Sequence, residues 1–240
     1  MRRALVIALM GAALAVPAAA EARARVDVMV VGKARMHVDA TRVVLQPRTA
    51  RVGGRRCALG AATPLSALAG AGVGFRLEDY GRCSRRARDA GSLYVERIAG
   101  ERASGRDGWV YKVGRRVGST GAGDPSGPFG TGRRLRHGQD VLWFWCVQGA
   151  SDSCQRTLEV TPAGPTVAPG APLAVRVRGY DDAGRGVAVA GATVRLGSAV
   201  AQTGADGSAT LTAPAARARV RLEAETAGMV RAFPREVRVG

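Results

Sequence analysis

The sequence predicts a strand-rich α+β unit followed by an all-β sandwich, and three observations carry that reading. β-branched and aromatic runs are spread over residues 26–146, from VDVMVV at Val26–Val31 to VLWFWC at Val141–Cys146. One clear helix start stands among them, at Thr63-Pro64. Composition then shifts at Thr161–Pro172 (TPAGPTVAPGAP), and beyond it short alternating runs repeat.

Taken in order, Val26–Val31 reads as a strand and Val43–Leu45 as a second, short one. Arg51–Arg56 is polar and contains glycine, which predicts a connection. Thr63 caps a helix and Pro64 suits its first position. Leu65, Leu68 and Ala69 follow at helical spacing, and Gly70 and Gly72 end it. Strands are predicted at Val73–Leu77, Leu93–Ile98 and Trp109–Val113, with Gly100–Gly108 as a hairpin-type loop. The turn before Val141 comes from His137, Gly138, Gln139 and Asp140.

Residues 118–132 (GSTGAGDPSGPFGTG) are glycine-rich and flanked by Arg115–Arg116 and Arg133–Arg134. The backbone N–H groups of such a stretch can cradle phosphate. This one lacks the G-x-x-x-x-G-K-[ST] pattern and does not lead from a strand into a helix, so it reads as a flexible surface loop.

Beyond the shift, Leu173–Val177, Ala192–Leu196, Ser208–Leu211 and Val220–Ala224 alternate apolar with polar. Asp181–Asp182, Gly184 and Asp206–Gly207 supply turns. The reading divides the chain into domains at 26–157 and 158–240, the second of about 80 residues being large enough to fold alone.

The first twenty residues are read as a signal peptide. Arg2 and Arg3 precede an uncharged apolar run, Ala4–Val16, and Ala18-Ala19-Ala20 closes it, so cleavage is expected after Ala20 with Ala24 as the second position. The run is shorter than the roughly 20 residues a membrane span needs. The mature chain is therefore expected to be secreted, or associated with the extracellular surface through non-covalent contacts.

The cysteines agree with export. Cys57, Cys83, Cys146 and Cys154 are even in number, without C-x-x-C spacing or a nearby histidine, so they predict disulfides and no metal site. The expected pairs are Cys57–Cys83 and Cys146–Cys154; the rival pairings join Cys57 or Cys83 to Cys146.

The formal charge of +17 invites a nucleic-acid reading. Thirty-four of the 36 basic residues are arginine and the chain has no asparagine, which a GC-rich genome explains. No recognisable nucleic-acid module accompanies the charge. The partners expected are anionic cell-wall polymers or a small molecule, drawn to the first domain, whose net charge over 21–157 is +12 against +3 for 158–240.

Catalysis is not expected. Only His37 and His137 offer an imidazole base, no G-x-S-x-G is present, and the carboxylate doublets Glu78–Asp79 and Asp181–Asp182 are chain neighbours. The aromatics are the better clue. Trp109 and Tyr111 share a strand face, as do Trp143 and Trp145. Two readings stay open: a buried core, or a flat ligand platform formed by Trp109, Tyr111 and Trp143 with Arg115, Arg116, Arg133 and Arg134 as donors and cation–π partners.

Three features carry a family resemblance: Thr63-Pro64-Leu65 with Leu68, the strand Gly108-Trp109-Val110-Tyr111-Lys112-Val113, and Leu135-x-x-Gly138-x-Asp140-x-Leu142-Trp143. In this order they resemble the transcobalamin-like family over residues 26–146. The resemblance implies an α+β β-grasp, a mixed sheet crossed by one helix. Vitamin-binding relatives clamp cobalamin against a helical barrel; none is read in this chain, and no cofactor is expected.

Residues Gly191–Leu196 and Thr203–Leu211 resemble bacterial Ig-like or carboxypeptidase-regulatory-like domains, which implies an all-β Ig-like sandwich acting as spacer or adhesion module. The function expected is an exported, non-enzymatic binding or surface-display protein. The alternatives are a small-molecule, cobalamin-like carrier and an accessory to a secreted hydrolase.

Overall fold

The computed structural model describes residues 24–149 and 151–240. The expected signal peptide, residues 1–20, lies outside them. In chain order come β1 (Arg25–Val31), β2 (Met36–Val44), β3 (Arg48–Val52), β4 (Arg55–Leu59), the helix α1 (Pro64–Gly70), β5 (Phe75–Asp79), β6 (Leu93–Ile98), β7 (Glu101–Arg102), β8 (Gly108–Val113), β9 (Arg116–Val117) and β10 (Asp140–Cys146). There follow β11 (Thr157–Pro162), β12 (Thr166–Val167), β13 (Pro172–Tyr180), β14 (Gly186–Ala188), β15 (Thr193–Leu196), β16 (Ala199–Gln202), β17 (Ser208–Thr212), β18 (Ala218–Glu225) and β19 (Arg235–Val239).

The α+β β-grasp expectation is corrected here. The described chain is 48% strand and 5% helix, with one α-helix and several sheets. That helix forms where expected, for the expected local reason. Thr63 Oγ1 accepts from the Ser66 backbone N–H while Ser66 Oγ accepts from the Thr63 N–H, a reciprocal cap. It is only seven residues long, too little to balance the strands around it.

The first sheet has the order β2-β1-β10-β8-β9, with β1 and β10 parallel and the other pairs antiparallel. Its central strands are covered on both faces. Val28, Val30, Val141, Trp143 and Trp145 point into a core shared with Leu65 and Leu68 of α1. Met29, Leu142 and Phe144 point the other way, into a smaller cluster with Val230 from the far end of the chain. Double coverage explains the unbroken apolar run of β10, where a half-exposed strand would alternate.

Two small sheets close over the first core: the hairpin β3-β4 and the meander β5-β6-β7. The hairpin replaces the connection expected at Arg51–Arg56. Its inward row is Ala50, Val52, Cys57 and Leu59, all buried, and Gly53 and Gly54 turn the chain with positive φ. Leu93–Ile98 pairs with β5 and β7, so the hairpin expected between it and Trp109–Val113 does not form.

The glycine-rich stretch is not a free surface loop. Ala122 is buried, and its carbonyl accepts the Leu65 N–H at 2.8 Å. At Gly121 an added Cβ would meet the Gly91 carbonyl oxygen at 1.9 Å, so only glycine permits this close approach.

Residues from 157 onward form two facing sheets, as expected of a sandwich. One is β11-β13-β14 with β17 also on β13, the other β12-β19-β18-β15-β16. Val177, Val194, Leu196, Leu222 and Val237 are fully buried between them.

Candidate functional site

The aromatic face is real but internal. Register sets Trp143 opposite Tyr111 and Trp145 opposite Trp109, so all four rings share one face. Trp109 and Trp145 meet edge-on at 5.7 Å, and Tyr111 and Trp143 lie 5.4 Å apart. Trp109, Tyr111 and Trp143 are only 4%, 6% and 1% exposed. The flat platform is thus corrected to core: in a chain whose interior is mostly Val, Leu and Ala, these rings supply volume to the first core. Trp109 Nε1 donates to the Glu101 carbonyl and the Tyr111 hydroxyl to that of Thr120, both at 2.8 Å.

The arginines expected around those rings are dispersed. Arg115 donates twice to Glu159, at 2.8 and 2.6 Å, and stacks over Tyr180 at 4.7 Å. Burial works to raise the Glu159 carboxyl, but the Arg115 hydrogen bonds and charge outweigh it and hold that group below the usual carboxylate range. Arg116 lies over Phe129 at 4.8 Å. Arg133 is exposed. Arg134 donates from Nε to the Pro125 carbonyl at 3.2 Å and faces a cleft.

This cleft, of about 870 Å³, lies between the hairpin, the helix and the glycine-rich stretch. Arg48, Arg85, Arg88 and Arg134 line it, and no carboxylate does. Arg88 has the neighbouring Asp89 at 3.7 Å, whereas Arg48 and Arg85 have no ion-pair partner among the described residues. The Arg48 Nε is buried without a hydrogen-bond partner. A Cβ at Gly70 would come within 2.7 Å of Arg48 Nη2, so the glycine that ends α1 also makes room for this guanidinium.

The cleft's walls are tied together. The Cys57–Cys83 disulfide, with Cα atoms 5.4 Å apart, joins β4 to the segment carrying Arg85 and Arg88. The Ala58 N–H donates to the Ser84 carbonyl at 2.8 Å beside it. Sequence reasoning missed Arg48, Arg85 and Arg88 because they come from segments distant in sequence that this bridge and hydrogen bond bring together. The two-residue Gly53-Gly54 turn was the one local signal for the hairpin.

A second arrangement holds the halves of the chain together. Lys112, on the β8 face opposite the rings, is fully buried. Its Nζ donates to Thr157 Oγ1 at 3.2 Å and to the Tyr180 and Asp181 carbonyls at 3.1 and 3.0 Å, with Asp182 Oδ1 at 3.7 Å. Desolvation lowers its pKa to about 8, against the opposing pull of Asp182 and Asp181. Asp182 also accepts the N–H of Cys154, which is bonded to Cys146 at the junction.

The carboxylates weighed for catalysis have structural partners. Asp79 accepts from the Gly81 and Cys83 N–H groups, from Ser92 and from Arg55, and Glu78 accepts from the Tyr80 hydroxyl. His37 pairs with Glu101 at 2.8 Å. His137 Nδ1 faces the Arg25 N–H at 3.4 Å. Among the described residues no group of three or more His, Cys, Asp or Glu converges to hold a metal, and no helix is long and apolar enough to cross a membrane.

No family model matches the chain, and no curated protein matches it. Nothing in these comparisons supports the transcobalamin-like resemblance or the cobalamin carrier drawn from it. Among solved structures the chain is similar to the D0-D1 domain of intimin, at 15% identity, covering 89% of this chain and 96% of that one with a TM-score of 0.26, a value too low to establish a shared fold.

Proposed function

We propose that this chain is an exported, non-catalytic binding protein that takes an anionic ligand in its arginine-lined cleft. In this reading, export removes residues 1–20, and residues 26–157 and 158–240 act as a binding domain and a companion sandwich at the extracellular surface. No cofactor takes part. The four arginines that line the cleft without a facing carboxylate carry the reading. Guanidinium groups gathered without a facing counter-charge keep donors free, and an oxyanion supplies both charge and paired acceptors. The two disulfides fit an oxidising compartment.

Calorimetric titration of the mature protein with triphosphate tests this. Binding is expected, and Arg85→Gln with Arg88→Gln should weaken it by about tenfold or more, the loss of a charge-assisted contact being roughly 1.5–3 kcal/mol. Both side chains lie on the surface, so the melting temperature should hold. No heat of binding, or an affinity indifferent to both substitutions, would refute the reading.

A further inference from the structure

We propose that the cleft is one end of a track for a linear chain of phosphate groups, a claim that rests on the anion-binding reading above. A second depression, of about 390 Å³, continues over the same hairpin and is lined by Thr49, Arg56, Ala58 and Arg85. Thr49, Ala58 and Arg85 also line the first cleft, so the two are contiguous. Together they far exceed the space of a single tetrahedral oxyanion.

The hairpin register builds this groove. Ala50 and Cys57 face each other toward the core, so Thr49 with Ala58, and Arg51 with Arg56, face outward in the alternate pairs. Ala58 and Gly60 keep the floor low. Arg134, Arg88 and Arg48 stand in the first depression, Arg85 at the shared stretch and Arg56 beyond it. Arginines spaced along a groove with no lining carboxylate suit a ligand that repeats its negative charge. The Cys57–Cys83 bridge and the Ala58–Ser84 hydrogen bond fix the Arg85 wall against the hairpin, so little ordering accompanies binding.

The floor also discriminates. Neither depression is lined by an aromatic side chain. Single-stranded nucleic acids are held by bases stacked on aromatic rings. This groove offers charge without stacking, which fits a phosphate chain lacking bases.

The test uses the mature full-length protein. Its probes are long-chain inorganic polyphosphate, a glycerol-phosphate polymer, triphosphate, orthophosphate and a single-stranded oligodeoxynucleotide of matched charge. Long-chain polyphosphate is expected to bind about 100-fold more tightly than triphosphate. Arg56→Gln should weaken the long chain about tenfold and leave triphosphate unchanged. Each groove arginine removed should lower the salt slope of binding by roughly 0.7–0.9, as for other phosphate chains. A control pair, Arg217→Gln with Arg238→Gln, should change long-chain affinity less than twofold. Glycerol-phosphate polymer binding as well as polyphosphate points to a wall-type source of the chain, and polyphosphate alone to an inorganic one; either supports the track.

Equal affinity for triphosphate and the long chain would overturn the track while the anion cleft stands. Binding of neither would overturn both. An oligodeoxynucleotide bound as tightly as polyphosphate would also overturn the track, as would a control pair that weakens binding as much as Arg56→Gln.

Discussion

Lys112 shows how one residue ties local chemistry to the arrangement of the chain. Its charge is fully buried, surrounded by oxygens from Thr157, Tyr180 and Asp181. Removing one member of a buried charged network typically costs about 3–5 kcal/mol, because the partners stay behind unsatisfied. Lys112→Met is therefore expected to lower stability by about that amount in urea denaturation; a change under about 0.5 kcal/mol would show that the network contributes little. The same group carries a pH signature. Its folded pKa of about 8 lies below the ordinary lysine value, so between pH 8 and about 10 the unfolded state binds more protons than the folded one. Stability contributed by this group should rise with pH across that window, the reverse of a surface lysine in an ion pair. The slope should vanish in Lys112→Met, and a slope shared by both proteins would assign it elsewhere.

At the scale of elements, what the sequence revealed depended on how local the determining physics was. The helix was legible because Thr63, Pro64 and Ser66 decide it among themselves. The strand at Val141–Cys146 was legible because burial on both faces left its apolar run uninterrupted, and that at Val26–Val31 because Asp27 alone breaks its apolar run. The β3-β4 hairpin was hidden: Arg48, Arg51, Arg55 and Arg56 mask the alternation of Ala50, Val52, Cys57 and Leu59. For the rings, a spacing of two gave the shared face but not which side of the sheet would be covered. The cleft lay further out of reach, since the Cys57–Cys83 bridge sets the Arg85 segment beside the hairpin. The glycine-rich stretch was misjudged because composition cannot distinguish glycine used for mobility from glycine used for contact. Gly121→Ala tests that use. The added Cβ meets the Gly91 carbonyl, just beyond the 3-10 turn at Ala87–Ala90, so a loss of about 1–3 kcal/mol is expected on thermal denaturation. An unchanged melting temperature would show that the stretch yields freely.

For the whole molecule, the seam between the halves is both apolar and ionic. Met29, Leu142, Phe144 and Val230 form its apolar part. Around them Arg221 binds Asp39 through both terminal nitrogens at 2.6 and 2.7 Å, and Arg235 reaches Asp140 at 2.8 Å. The Arg221 hydrogen bond holds the Asp39 carboxyl below its usual range, against the opposing effect of burial. Exposed pairs of this kind contribute about 0–1 kcal/mol each, so they set the register of the halves more than the strength of their union. These pairs occupy arginines at the seam, and those of the cleft stay open to a ligand. The proposed seating of an anion among the cleft guanidinium groups can be followed directly by arginine side-chain NMR. With the mature protein titrated with triphosphate, the Nε–Hε signals of Arg48, Arg85 and Arg88 are expected to shift together and saturate, while those of Arg221 and Arg235 stay in place. Small, unsaturating shifts spread evenly over exposed arginines would contradict it.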